Sequence, residues 1–244
     1  MSDPLSLPSV VLVTGTGTEV GKTITTAALV AVIRARGTEP CVVKVAQTGV
    51  AADEDGDLQT VCRLAGEVPT AEFVRLPDPL APDTAARRAG VSIPPIALHA
   101  RRIGELAEDH PIVLVEGSGG LLVRLDERGG TLADLGTALR YKGVSAGVLL
   151  VASAGLGTLN SAALTAEVLK ARGLPLIGVI IGDWPADPGL AEQCNVEDLP
   201  RVTGSRLLGR IPMGAGALPR QEFVASAPRG WTSHEGRARG IPGD

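Results

Sequence analysis

The run Thr14-Gly15-Thr16-Gly17-Thr18-Glu19-Val20-Gly21-Lys22-Thr23 carries the residue types of a phosphate cradle. It follows the apolar, β-branched stretch Val10–Val13 and leads into a helical pattern that begins at Lys22. Glycines let successive N–H groups turn inward, and a helix N-terminus adds partial positive charge, so the segment can hold an anion. A lysine at the helix start reaches β- and γ-phosphates, and the hydroxyl after it suits a magnesium ion. Five residues separate Gly15 from Gly21, whereas the standard P-loop has four. The spacing argues for a variant of that loop, and the lysine argues against a dinucleotide fold.

Other candidate groups stand at the carboxyl ends of apolar runs, where open parallel sheets bind ligands. Lys44 closes Cys41-Val42-Val43, and Glu116 closes Val113-Leu114-Val115 ahead of Gly117-Ser118-Gly119-Gly120. Lys44 is read either as a site residue or as a lysine that snorkels to water. Glu116 has the form of a carboxylate that holds magnesium beside a phosphate loop. In Asp53-Glu54-Asp55-Gly56-Asp57 the acids either favour a helix dipole or supply a metal ligand, and Asp57 directly precedes the helical period. Gly155-Leu156-Gly157-Thr158-Leu159-Asn160 opens another helix, as a carboxylate site or with Thr158 or Asn160 as a simple N-cap.

These groups need a scaffold, and the chain supplies one. At 244 residues it is long enough for one α/β domain. Aromatics make up only 2% of it, so Val, Leu, Ile and Ala must build the core, as suits a parallel sheet covered on both faces. Strands are expected near 10–13, 41–44, 112–116, 147–152, 176–183 and 207–212, with helices at 22–36, 57–65, 96–108, 131–139 and 159–172. Prolines between residues 66 and 95 predict a connection without a long regular element. The domain is expected to span 1–224, with a flexible tail at 225–244.

The net charge of −4 gives no basic footprint for nucleic acid. No apolar run approaches the roughly 18 residues of a membrane span, and residues 1–9 have no export pattern, so a cytoplasmic location is expected. The spacing of Cys41, Cys62 and Cys194 suggests neither disulfides nor zinc, and all three are expected as buried thiols.

The phosphate loop, Lys44 with Gln47-Thr48-Gly49, Val115 to Gly120 and Leu156 to Asn160 together resemble dethiobiotin synthetase over roughly residues 10–215. The resemblance implies a single-domain P-loop fold, a mostly parallel sheet with helices on both faces. It also implies a homodimer that uses ATP, magnesium and carbon dioxide to close the ureido ring of dethiobiotin on 7,8-diaminononanoate. The implied catalytic groups are Lys22 and Lys44, and the implied metal ligands are Thr23, Asp57 and Glu116. Nucleotide contacts would come from Glu19, Val20, Gly21, Lys22, Thr23 and Ile24, from Asp57, Glu116 and Gly119, and from Gly182, Asp183, Ile211, Pro212 and Met213. Substrate contacts would be Thr48 and Gly117, with Leu156, Gly157, Thr158 and Asn160 arriving from the partner subunit.

The sequence departs from that pattern in three places. Val45 follows Lys44 where the family often has proline, Gly182 stands where many members carry an adenine-reading asparagine, and an acidic residue after Ile211-Pro212 is missing. The second departure predicts weak base selectivity, so ATP or another nucleoside triphosphate serves as co-substrate, with Trp184 a possible crowding group. A rival reading is a switch ATPase or GTPase of the partition or metallochaperone type. Thr16 stands where such ATPases carry an extra lysine, and Asn195-Val196-Glu197-Asp198 lacks the lysine of a guanine motif. A cobyrinate-type amidoligase would need a glutaminase domain for which the chain has no room.

Overall fold

Val10–Val13, Val113–Val115 and Val148–Val151 are all fully or almost fully out of water, because each run lies in a sheet packed on both faces. A computed structural model describes residues 7–227. In chain order the elements are β1 (Val10–Gly15), α1 (Lys22–Arg34), β2 (Cys41–Lys44), β3 (Gln47–Thr48), α2 (Asp57–Ala65), β4 (Thr70–Glu72), β5 (Arg75–Leu76), α3 (Pro82–Ala89) and α4 (Ile96–Asp109). There follow β6 (Val113–Gly120), α5 (Leu132–Tyr141), β7 (Ala146–Ala152), α6 (Thr158–Ala171), β8 (Leu176–Trp184), α7 (Leu190–Thr203), β9 (Leu207–Pro212) and α8 (Arg220–Ser226).

Seven strands form one parallel sheet in the order β4-β2-β6-β1-β7-β8-β9, and β3 pairs with β5 beside it. The order reverses direction around β1, which places a ligand crevice at its carboxyl end. Alternation along the strands divides the core. Val11, Val13, Val42, Leu114, Val151 and Ile180 face α1, α2 and α8. Val10, Leu12, Val43, Val115 and Val148 face α4 and α5, and further along the same face Leu150, Ala152 and Ile181 meet α6 and α7. The expected fold class is therefore the observed one.

Several local expectations need correction. Residues 66–95 hold no long regular element, as expected, but carry the short β4, β5 and α3, which the sequence reading does not assign. Pro82, which reads as a breaker, is the first residue of α3, where its missing N–H costs nothing. β6 runs on through the glycines to Gly120, which pairs with Gly15. Helices α7 and α8 have no counterpart in the sequence reading. Of the cysteines only Cys41 is buried; Cys62 is half-buried and Cys194 exposed. Burial pushes the Cys41 thiol up to about 11. Apart from the end of α8 and Ala227, the expected tail lies outside the described residues.

Candidate active site

Lys44 and Glu116 are register partners on neighbouring parallel strands, and Val13 is the next residue in the same row. Two residues earlier the row reads Val42, Leu114, Val11, all of which face α1 and α2. The period of two along a strand sends Lys44 and Glu116 to that same face. There the Lys44 ammonium lies 2.8 Å from Glu116 Oε1, 3.3 Å from the Gly117 carbonyl, and in contact with Asp57 Oδ2. Lys44 therefore does not snorkel to water; it is 4% exposed.

The first turn of α1 closes over this pair. Thr23 Oγ1 donates to Glu116 Oε1 at 3.0 Å, and Thr26 Oγ1, one turn on, lies 3.0 Å from Oε2. Lys22 Nζ donates to the Gly17 carbonyl at 2.9 Å and so arches across its own loop. Gly21 takes φ +86° as the N-cap of α1, which only glycine adopts readily. A Cβ there would stand 2.3 Å from the Gly182 carbonyl oxygen, and one on Gly182 would stand 2.0 Å from that of Val20. The loop rests directly on β8 at its two glycines. Glu19 is the one non-glycine residue with positive φ among the described residues.

Asp57 is placed from another element. It begins α2 behind Gly56, which has no side chain to cap the helix. Gln47 reaches across from β3 and accepts the Asp57 N–H through Oε1 at 2.9 Å. Gln47 is 4% exposed, and a Cβ on Gly56 would press to 2.9 Å from the same oxygen.

The charges are strongly interdependent. Burial alone would lower Lys44, but Glu116 and Asp57 outweigh it and hold the ammonium above its ordinary range. Burial opposes the Asp57 charge as well, and Lys44 more than offsets it, so the carboxyl lies low. Glu116 is shifted up because complete burial outweighs the pull of Lys44, and Asp57 adds repulsion. Lys22 is lowered by burial, against the opposing pull of Glu116.

Above these groups lies a cleft of about 770 Å³, large enough for a nucleotide with a small second substrate. Of the predicted residues, Glu19, Gly21, Lys22, Thr23 and Ile24 line it from one side. Lys44, Thr48, Asp57, Glu116 and Gly119 line it from the other. Val20 is buried against Gly182, and Gly117 meets the site through its carbonyl. Pro79 to Pro82 form a further wall that sequence reasoning missed, because those prolines read only as loop.

Gly182, Asp183, Ile211, Pro212 and Met213 lie outside that lining. Ile211 is buried under α1, while Met213 is 59% exposed and donates its N–H to the Trp184 carbonyl. Trp184 does not crowd the P-loop face. Register shifts between β8 and β9 past Ile181 turn it to the opposite side, where it packs with the α6 and α7 cluster and Arg210 stacks over its ring at 4.5 Å.

Leu156, Gly157, Thr158 and Asn160 are also apart from the cleft. Gly157 is the N-cap of α6 at φ +88°, without a side-chain cap, so neither Thr158 nor Asn160 serves as one. Thr158 is buried with its hydroxyl unpartnered, Asn160 is exposed, and Leu156 is 92% exposed. Asn195 belongs to no guanine motif. From inside α7 its amide donates to the carbonyls of Ala154 at 2.7 Å and Gly155 at 3.1 Å, which pins the start of this loop.

Thr23, Asp57 and Glu116 present only oxygen donors beside the phosphate loop, a hard set that fits magnesium, which binds through one or two carboxylates and completes its shell with phosphates and water.

Residues 9–217 match the family described as an AAA domain. The ATP-dependent dethiobiotin synthetase of Streptomyces avermitilis is 56% identical over 225 residues, 91% of each chain. That of Saccharopolyspora erythraea is 58% identical over 213 residues, 86% of this chain and 90% of the relative. The chain belongs to the ATP-dependent dethiobiotin synthetase family.

Likeness to solved structures concerns the fold alone. The cell division ATPase MinD of Pyrococcus furiosus superposes with a TM-score of 0.58 at 19% identity, covering 91% of this chain and 98% of that one. Chloroplast FtsY of Physcomitrella patens gives 0.52 at 20% identity, covering 91% of this chain and 66% of that one. The switch-ATPase alternative is thus not favoured over membership of the dethiobiotin synthetase family. No helix among the described residues is long and apolar enough to cross a membrane.

Proposed function

We infer that this chain closes the ureido ring of dethiobiotin, a step of biotin synthesis, from 7,8-diaminononanoate, carbon dioxide and ATP with magnesium. The observation that carries the reading is the convergence of Lys44, Asp57, Glu116 and Thr23 beneath the phosphate loop, in a chain whose relatives at more than half identity bear that activity in their names.

The chemistry follows from the charges. One substrate amine adds to carbon dioxide and loses a proton to give a carbamate. A carbamate oxygen then attacks the γ-phosphorus, the bond to ADP breaks, and a carbamic-phosphoric anhydride forms. The second amine attacks the carbonyl carbon and expels phosphate, which closes the ring. Negative charge moves across the phosphoryl group during transfer, and fixed cations aimed at it stabilise that state more than the reactants. Lys22, arched over the loop, is the cation for the β- and γ-phosphates. Lys44 turns from Glu116 and Asp57 towards the transferring group and the carbamate. Thr23, Asp57 and Glu116 would hold magnesium, which would supply charge neutralisation at the phosphates.

Thr48 and Gly117 border the amine end of the substrate. Its far carboxylate goes to Leu156, Gly157, Thr158 and Asn160 of a second copy, so the working unit is a homodimer with sites at the interface, located in the cytoplasm. That loop does not line the chain's own cleft, and Leu156 before α6 and Asn160 and Leu164 on it are all exposed, which supports this arrangement. The nucleotide base is read by backbone around Gly182-Asp183 and Ile211–Met213.

Incubation of the purified protein with diaminononanoate, bicarbonate, magnesium and ATP tests the reading. Dethiobiotin is expected by mass spectrometry, in step with ADP. ATP hydrolysis without that product would overturn it.

A further inference from the structure

Three threonines in the first two turns of α1, Thr23, Thr25 and Thr26, are not equivalent. Each residue advances about 100° around a helix, so Thr23 and Thr26 share a face while Thr25 points away from it. Thr25 is buried with its hydroxyl unpartnered. Thr26, equally buried, places its hydroxyl 3.0 Å from Glu116 Oε2 and 3.0 Å from the Lys22 carbonyl. It has one hydrogen for two acceptors. The bond to the carbonyl four residues back is the ordinary local habit of threonine in helices; the one to Glu116 spans 90 positions of sequence.

The partners of Glu116 divide unevenly. Oε1 receives both Thr23 and Lys44, whereas Oε2 receives Thr26. On the reading given above, Thr23 and Lys44 both leave Glu116 during turnover, Thr23 for the metal and Lys44 for the phosphoryl group. Thr26 has no part in that exchange, its other acceptor being the Lys22 carbonyl of its own helix. We propose that Thr26 is a positioning residue for the metal carboxylate: its hydroxyl keeps Oε2 of Glu116 turned inward, so that Oε1 remains aimed at the metal after Thr23 and Lys44 have gone. The inference rests on Glu116 as a metal ligand.

The test titrates Mn2+ into protein holding a non-hydrolysable ATP analogue, following the free-ion signal by electron paramagnetic resonance. It compares wild type with Thr26→Val, Thr26→Ser, Thr25→Val and Glu116→Gln. Valine keeps the shape of threonine and removes the hydroxyl. Losing a hydrogen bond to a carboxylate should weaken Mn2+ binding by roughly tenfold in Thr26→Val, while Thr26→Ser and Thr25→Val stay within about twofold of wild type. In steady state, Thr26→Val should raise the magnesium requirement with little change in kcat at saturating metal. Wild-type Mn2+ affinity in Thr26→Val, with Glu116→Gln weakened, overturns the proposal and leaves the metal reading intact. Equal losses in Thr25→Val and Thr26→Val also overturn it, since packing would then be the cause. Unchanged affinity in Glu116→Gln removes the metal reading and this inference with it.

Discussion

Lys44 and Glu116 occupy the same register position on adjacent parallel strands, and their charged atoms meet at 2.8 Å with almost no exposure to water. Removing one member of such a pair strands the other, so the lysine is structural as well as chemical. Its ammonium touches Asp57 as well, so one cation is shared between two carboxylates.

On the proposed mechanism Lys44 acts on the carbamate and the transferring group, so Lys44→Ala should lower turnover by orders of magnitude while Lys22 and the phosphate loop keep nucleotide binding nearly intact. Lys22→Ala should damage both. Stopped-flow turnover beside calorimetric nucleotide affinity separates the two. Wild-type turnover in Lys44→Ala would exclude this lysine from the chemistry.

Gly182 bears on the choice of base. Because a Cβ there would press to 2.0 Å from the Val20 carbonyl, this position cannot carry an adenine-reading side chain without moving the phosphate loop. A missing bidentate contact forfeits about 1–3 kcal/mol of discrimination. CTP, GTP and UTP should then support turnover at rates comparable to ATP, read as kcat/KM under one set of conditions. An ATP advantage above about a hundredfold would mean that another residue reads adenine. Gly182→Asn should weaken binding of all four alike.

His99 makes stability depend on pH. It is fully buried, and the ring stacks on Phe73 at 5.4 Å. Burial, then Arg102, push its pKa below the ordinary 6.5, against the weaker pulls of Asp126 and the Pro94 backbone. Below that value the unfolded chain binds the proton first. Stability should thus be constant above pH 6.5 for this group and fall as pH drops towards the folded value, by at most about 1.4 kcal/mol per pH unit. Thermal melts of wild type and His99→Leu between pH 8 and 5 isolate the effect. Parallel curves would contradict it.

The exposed stripe of α6 tests the second copy. Asn160 and Leu164, one turn apart on α6, are both exposed, the latter 60%, and Leu156 in the loop before the helix is 92% exposed. Leu164→Glu should give monomers in light scattering, with nucleotide binding retained and synthesis lost. A fully active monomer at nanomolar concentration would remove the interface.

How far the sequence spoke depended on what each residue touches. β1, β6 and β7 were legible because strands covered on both faces must be apolar throughout. β4, reading Thr70-Ala71-Glu72, was not, since an edge strand pairs on one side and leaves its residues half in water. Lys22, Thr23, Lys44, Asp57 and Glu116 were readable from their positions at strand ends and helix starts. Gln47 and Thr26 were not, because their work is done on residues 10 and 90 positions away. Asn195 looked like an accident for the same reason: its partners lie 41 and 40 residues earlier, in the loop before α6.

On the proposed mechanism a carbamate oxygen attacks the γ-phosphorus in this cleft. Bicarbonate labelled with 18O in unlabelled water, mixed rapidly with enzyme, diaminononanoate, magnesium and ATP, tests it directly through the mass of the released phosphate. One labelled oxygen per phosphate, formed in step with dethiobiotin, is the predicted result. Phosphate without label would mean that water is the nucleophile, as in a switch ATPase, and would contradict the account.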